Sequence, residues 1–243
     1  LIIATNALCA VVSYNTVIAD GSVDLTNNPL FNVFGYNNLC VYIDDLPSRY
    51  IGLVGWSLFI ACWLVYELLF WFRACHLNAK QGLLSPRFHA YFSTSTLLES
   101  MLIFYSVSVF SVHPRDNFFM HTLPFSCLIV AVALCAVKET IYNMPISGTG
   151  FGWASLVGHH ETPGVDWWEV LAWTYLVALV VMSVAKVIFQ MMGLLQNRPP
   201  PPSVGHANDV IFMFLAILVP LGYGIYGLRS GKLDTLRVDM HAD

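Results

Sequence analysis

Apolar residues in this chain gather into six blocks of roughly 20 residues, with polar, glycine-containing or proline-containing stretches between them. About 20 apolar residues in a helix cross a hydrocarbon core of ~30 Å. The pattern therefore predicts six membrane helices, at about 1–18, 51–72, 89–112, 119–143, 168–195 and 209–229. The first is the weakest, because Asn6, Ser13, Tyr14 and Asn15 interrupt it. A chain of 243 residues with six spans has no room for a separate soluble domain, so the expected fold is a single all-α polytopic membrane bundle over 1–243.

The connections differ in character. Residues 19–50 form the longest loop, rich in Asn and acidic through Asp20, Asp24, Asp44 and Asp45, with Pro29 and Pro47 as breakers. Residues 73–88 carry Arg73, Lys80 and Arg87, and 113–118 form a tight hairpin that makes spans three and four antiparallel neighbours. Residues 144–167 contain Gly148, Gly150, Gly152 and the run His159, His160, Glu161. Pro199 to Pro202 predict a stiff polyproline strut of about 12 Å.

Composition agrees with the pattern: 57% of residues are hydrophobic and 11% are charged. The net charge of −4 and the absence of a basic patch exclude nucleic acid as a partner. The six Cys include no C-x-x-C pair, and free thiols are expected. Trp71, Trp153, Trp167 and Trp168 sit near span ends, as an interfacial belt does. Chain-opening Leu1 suggests a processed or incomplete N-terminus.

Charges inside the spans are the candidate chemistry, since each central one costs about 2.5–3.5 kcal/mol on insertion scales. Glu67 lies late in span two, Glu99 in the middle of span three and Lys186 deep in span five; Lys138 and Glu139 end span four. Two readings stand side by side, a proton- or ion-handling site and a structural pair such as Glu99 with Lys186. His76, His89, His113 and His121 fall at span edges rather than as facing pairs, and no H-E-x-x-H, G-x-S-x-G or phosphate loop is present. Nothing marks a catalytic centre.

Several polar marks, in order, resemble subunit 3 of the haem–copper cytochrome c oxidases. Glu67-Leu68-Leu69-Phe70-Trp71-Phe72 is similar to the family's E-V-x-F-F on its third helix. Thr94-Ser95-Thr96-Leu97-Leu98-Glu99-Ser100 is close to N-T-x-x-L-L-x-S-G, and Arg115-Asp116 stands where G-D-R is common. Lys138-Glu139-Thr140-Ile141-Tyr142 followed by Pro145-Ile146-Ser147-Gly148 resembles Q-x-x-E-Y-x-x-x-x-F-x-I-x-D-G. His206-Ala207-Asn208-Asp209-Val210-Ile211 resembles the opening W-H-F-V-D-V-V of the last helix. Departures are a missing G-F-H-G-x-H-V in span five, Gly205 in place of Trp, Glu99 in place of a small apolar residue, and a short loop between spans two and three.

The resemblance implies helices two to seven of the family, in the mitochondrial inner membrane. It implies a subunit with no haem or copper of its own, packed against subunit 1 and other complex IV subunits, with haem a and copper in those partners. It also implies structural phospholipid in a cleft between spans one and two and spans three to six. Glu67, Glu139 and Asp209 become buried or proton-related carboxyls, with Glu67 expected neutral and open to an apolar carbodiimide; Thr94, Glu99, Lys186 and His206 become structural motif positions. The register places 19–50 and 196–208 on the matrix side, whereas the Lys/Arg count by loop puts the 73–88 loop inside. Competing readings are an accessory subunit of another respiratory or photosynthetic complex, a small transporter or channel lined by Glu67, Glu99 and Lys186, and a membrane enzyme using the His159–Glu161 run.

Overall fold

The computed structural model describes residues 1–81, 86–143, 167–196 and 198–218. They are helical, with no strand among them. In chain order the helices are α1 (Ile2–Ser13, prolonged by a π turn Tyr14–Ile18), α2 (Pro29–Phe34), α3 (Ser48–Gln81), α4 (Pro86–Ser106, prolonged by a 3-10 turn Val107–Phe110), α5 (Phe118–Asn143), α6 (Trp167–Gln196) and α7 (Pro202–Met213, prolonged by a π turn Phe214–Leu218). Four stretches are long and apolar enough to cross a membrane: Ser48–Phe72, His89–Phe110, Phe118–Lys138 and Trp173–Gln196. Ile2–Ile18 and Pro202–Ile217 are shorter apolar helices in the described residues. The protein is thus an all-helical membrane bundle.

Apolar side chains cover the outside of the bundle as well as filling its core. Leu53, Val54, Leu58, Val65, Leu68, Leu69 and Phe72 of α3 are exposed, as are Leu97, Leu98, Met101 and Phe104 of α4. Beside the apolar core the interior also holds small polar residues, among them Ser13, Ser48, Ser95, Thr96, Ser106 and Ser183. This is the distribution expected where lipid tails solvate the outside and close approach and interhelical hydrogen bonds hold the inside.

Of the residues that weaken the first span, Asn6 is explained by its partner on α3. Asn6 and Ser13 are buried, and Asn6 Oδ1 accepts from Trp56 Nε1 of α3 at 3.1 Å. Ser48 Oγ donates to the carbonyl of Cys9 at 3.1 Å. Gly55 lets the two backbones approach, since a Cβ there would strike the side chain of Thr5. Asn6 interrupts the run because it faces α3, whereas Asn15 donates back to the carbonyl of Val11 on its own helix.

Residues 19–50, expected as a loop, are a folded end cap. Asp20 and Asp24 accept from the backbone N–H groups of Ser22 and Thr26, which holds both carboxyls below the usual range. Asn28 caps α2 by accepting from the N–H of Phe31, and its amide donates to Asn37 Oδ1 at 2.9 Å. Pro29 starts a helix rather than breaking the chain, since the first turn needs no N–H from it. Gly35 ends α2 at φ 74, a left-handed conformation. Val23, Leu30, Phe34, Tyr36 and Val41 form the cap's own core. The asparagines are therefore the local hydrogen-bond framework of a short irregular segment.

Every described connection at this end touches the cap or its neighbours. Arg49 donates to the carbonyl of Phe110 at the end of α4, and Gly193 of α6 lies against the carbonyl of Val33. The proline run is shorter than expected as a strut: Pro202 is the first residue of α7, and Pro199 and Pro200 lie against Gly35. At the other end, α3 runs on to Gln81 and α4 starts at Pro86, so most of the expected 73–88 loop is helix.

Candidate functional site

Three helices each bring one charge to a common point. Glu67 of α3 and Glu99 of α4 are 0% exposed, and Lys138 of α5 is 1% exposed. Lys138 Nζ pairs with Glu67 Oε2 and lies 2.5 Å from Glu99 Oε2. Each carboxylate has a second support one turn earlier on its own helix. Trp63 Nε1 donates to Glu67 Oε1 at 3.1 Å, and Ser95 Oγ donates to Glu99 Oε1 at 2.6 Å. Cys135 Sγ reaches Glu67 Oε1 at 3.1 Å from one turn before Lys138, and Thr96 Oγ1 lies 3.3 Å from the ammonium. The rings of Phe70 and Phe92 flank the ammonium, each centroid 5.6 Å away.

Helical spacing explains why these side chains meet. Residues three and four apart share a face, so 63 with 67, 95 with 99 and 135 with 138 present one polar stripe per helix. In an apolar medium each stripe must find the others. The charges are buried, and their attraction repays desolvation only where the remaining lone pairs are also met, as they are here. Formally, two carboxylates and one ammonium carry −1, so one added proton makes the cluster neutral. The oxygens of Glu67 and Glu99 and the thiol of Cys135 lie within 4.8 Å of one another, a spacing that suits a metal ion. The ammonium of Lys138 already stands between the two carboxylates, and a metal would have to displace it.

The expected pairing of Glu99 with Lys186 is not formed. Lys186 of α6 pairs with Asp209 of α7, and the rings of Phe125 and Phe212 flank it. Nor does Glu67 stand alone; it pairs with Lys138. Asp209, expected to be buried, is half-buried and is half of a second ion pair rather than a lone acid. His206 stacks on Tyr36 of the end cap with centroids 4.9 Å apart. Burial lifts the phenol of Tyr36 above its ordinary range, with the Asp209 carboxylate adding to the effect. Thr94 Oγ1 donates to the carbonyl of Ala90 on an exposed face, away from the cluster. The side chain of Glu139 and the run His159, His160, Glu161 lie outside the described residues. All six cysteines are free.

The departure at Gly205 has a local cause. A Cβ at this position would collide with the ring of Tyr36, so glycine is what lets the cap sit on α7. The expected cleft separating spans one and two from the rest is also not seen at the cluster: α3 is bound to α5 through Glu67 and Lys138, and Trp71 Nε1 donates to Ser93 Oγ of α4 at 3.0 Å. Lys138 was the residue sequence reading undervalued. It stands at a span end, where a lysine normally reaches water, and only the two acids facing it draw it inward.

Fold and site together define the class: a helical membrane protein with a fully buried ion-pair cluster at α3–α4–α5 and a half-buried ion pair at α6–α7. No protein family, curated protein or solved structure matches the chain.

Proposed function

We propose that this chain is a strongly diverged subunit 3 of mitochondrial cytochrome c oxidase, a multi-pass inner-membrane subunit without a redox centre. The observation that supports this most is Glu67. The segment that resembles the family's third-helix motif turns its glutamate inward, fully buried, where that family is expected to carry a buried carboxyl. In this reading haem a and copper belong to partner subunits, chiefly subunit 1, and phospholipids fill the outer grooves. Exposed apolar faces support a need for such cover, since at most 33% of any spanning window is buried within the chain. The buried cluster, one proton short of neutrality, would aid proton uptake and steady the catalytic subunit during turnover.

The native chain is then expected to migrate with a haem-a-containing complex on native gels, and depleting it should speed inactivation during turnover. Migration apart from haem a rules this reading out. Migration with a different cofactor complex favours an accessory subunit there. The transporter reading loses the shared lining it needs, because Lys186 pairs with Asp209 of α7 while Glu67 and Glu99 pair with Lys138.

A further inference from the structure

A separate set of ionisable groups lies under the end cap. His121 near the start of α5 is 4% exposed, and Asp44, between the 3-10 turn Leu39–Tyr42 and α3, is 5% exposed. His121 Nδ1 is 2.9 Å from the carbonyl oxygen of Val112, and Nε2 is 3.3 Å from Asp44 Oδ1. Both neighbours are acceptors. A neutral imidazole donates from one nitrogen only and turns a lone pair on the other towards oxygen; with Asp44 ionised, only the imidazolium suits both contacts. The Nε2 contact is at ion-pair distance without hydrogen-bond alignment, so it depends on charge more than on direction.

Asp44 depends on the same charge. Its Oδ2 has no hydrogen-bond partner, and burial raises its carboxyl above the ordinary range while His121 opposes that rise. The other charged groups around the pair are engaged elsewhere. His113 Nε2 lies 3.3 Å and Arg115 Nη2 3.9 Å from Asp45 Oδ1, and Arg49 holds the carbonyl of Phe110. The nearby thiol of Cys40 is pushed up by burial, so it stays neutral.

We propose that His121 and Asp44 form a proton-operated latch, which fastens residues 39–47 to the start of α5 and the turn after α4 while His121 is imidazolium and frees them when that proton leaves. The sign follows from the contacts. On the acid side the imidazolium donates from Nδ1 to the carbonyl of Val112 and holds the Asp44 carboxylate by charge through Nε2. As pH rises through the titration of His121, a buried carboxylate is left facing a lone pair. Release uncovers the small cavity beneath, lined by Phe34, Cys40, Val109, Phe125 and Gln190.

Hydrogen–deuterium exchange of the full chain in nanodiscs, corrected for intrinsic rates, tests this on peptides spanning 39–47. Protection should fall at least about tenfold between about pH 5 and about pH 8. His121→Gln should give low protection at every pH, whereas His113→Gln should keep the wild-type profile. A flat wild-type profile, a profile that survives His121→Gln, or one abolished by His113→Gln overturns the latch. Should His121→Gln not fold, the ¹⁵N shifts of the wild-type His121 ring decide. Both nitrogens must carry protons whenever 39–47 is protected; a bare nitrogen in the protected state overturns the proposal.

Discussion

Lys138 serves two acids at once, and that imbalance sets how each residue of the cluster responds to change. Removing the lysine leaves two buried carboxylates facing each other, whereas removing one acid's charge leaves a neutral pair. Lys138→Met should therefore lower stability by about 3–5 kcal/mol. Glu67→Gln and Glu99→Gln should each cost at most about 1.5 kcal/mol, because the amide keeps the shape and the contacts to Trp63 or Ser95. Glu67→Ala falls between, since it also strands the indole N–H of Trp63 and the thiol of Cys135. Thermal unfolding in nanodiscs gives the ranking. If Lys138→Met is no worse than Glu67→Gln, the three groups do not share one site. Replacing all three by apolar residues of similar volume should recover most of the loss, as it does for other buried ion triads.

At the scale of elements, the packing is set by glycines whose neighbours can be named. Gly205 of α7 makes room for Tyr36, and Gly55 of α3 makes room for Thr5. Gly205→Trp, which restores the residue expected from the resemblance, should destabilise the chain by about 1–3 kcal/mol through overpacking. Tyr36→Ala in the same chain should relieve much of that loss. A Gly205→Trp penalty that Tyr36→Ala leaves untouched would place the clash elsewhere. Between α1 and α3, the Asn6–Trp56 hydrogen bond should show a coupling of about 0.6–1.7 kcal/mol in a double-mutant cycle of Asn6→Leu and Trp56→Phe.

For the whole molecule, the end cap, the 111–117 hairpin and residues 198–201 gather at one end of the bundle, joined through His113 with Asp45 and through Gly35 with the prolines. Cysteines introduced at Asp24 and at Arg115 should therefore be labelled by an impermeant thiol reagent from one side only, and from the same side. In the subunit 3 register that side is the matrix, so both stay unlabelled in mitoplasts and react in inverted vesicles. Labelling of both in mitoplasts would favour the Lys/Arg count over the motif register. Lys138 drops out of that count, because it is buried against Glu67 and Glu99 rather than held at the surface.

Sequence alone determined the helical membrane character, the approximate limits of the four long spans and the hairpin between α4 and α5, because length and all-round apolarity are local quantities that lipid reads one helix at a time. Glu67 and Glu99 stood out for the same reason: a charge amid apolar residues is conspicuous without knowing its neighbours. Which cation each acid meets was decided by tertiary structure. Glu99 with Lys186 and Glu99 with Lys138 are equally consistent with the chain, and only the packing of α4 on α5 brings the second pair together while α7 brings Asp209 to Lys186. The end cap was hidden for a related reason: its asparagines read as a loop, yet Asn28, Asn37 and Asn38 satisfy backbone groups in a segment too short to do so through regular helix. The polar residues of α1 likewise read as a weak span until α3 is placed beside them. Periodicity and hydropathy report how a residue meets its solvent; partners across helices depend on register and rotation, which no single helix carries.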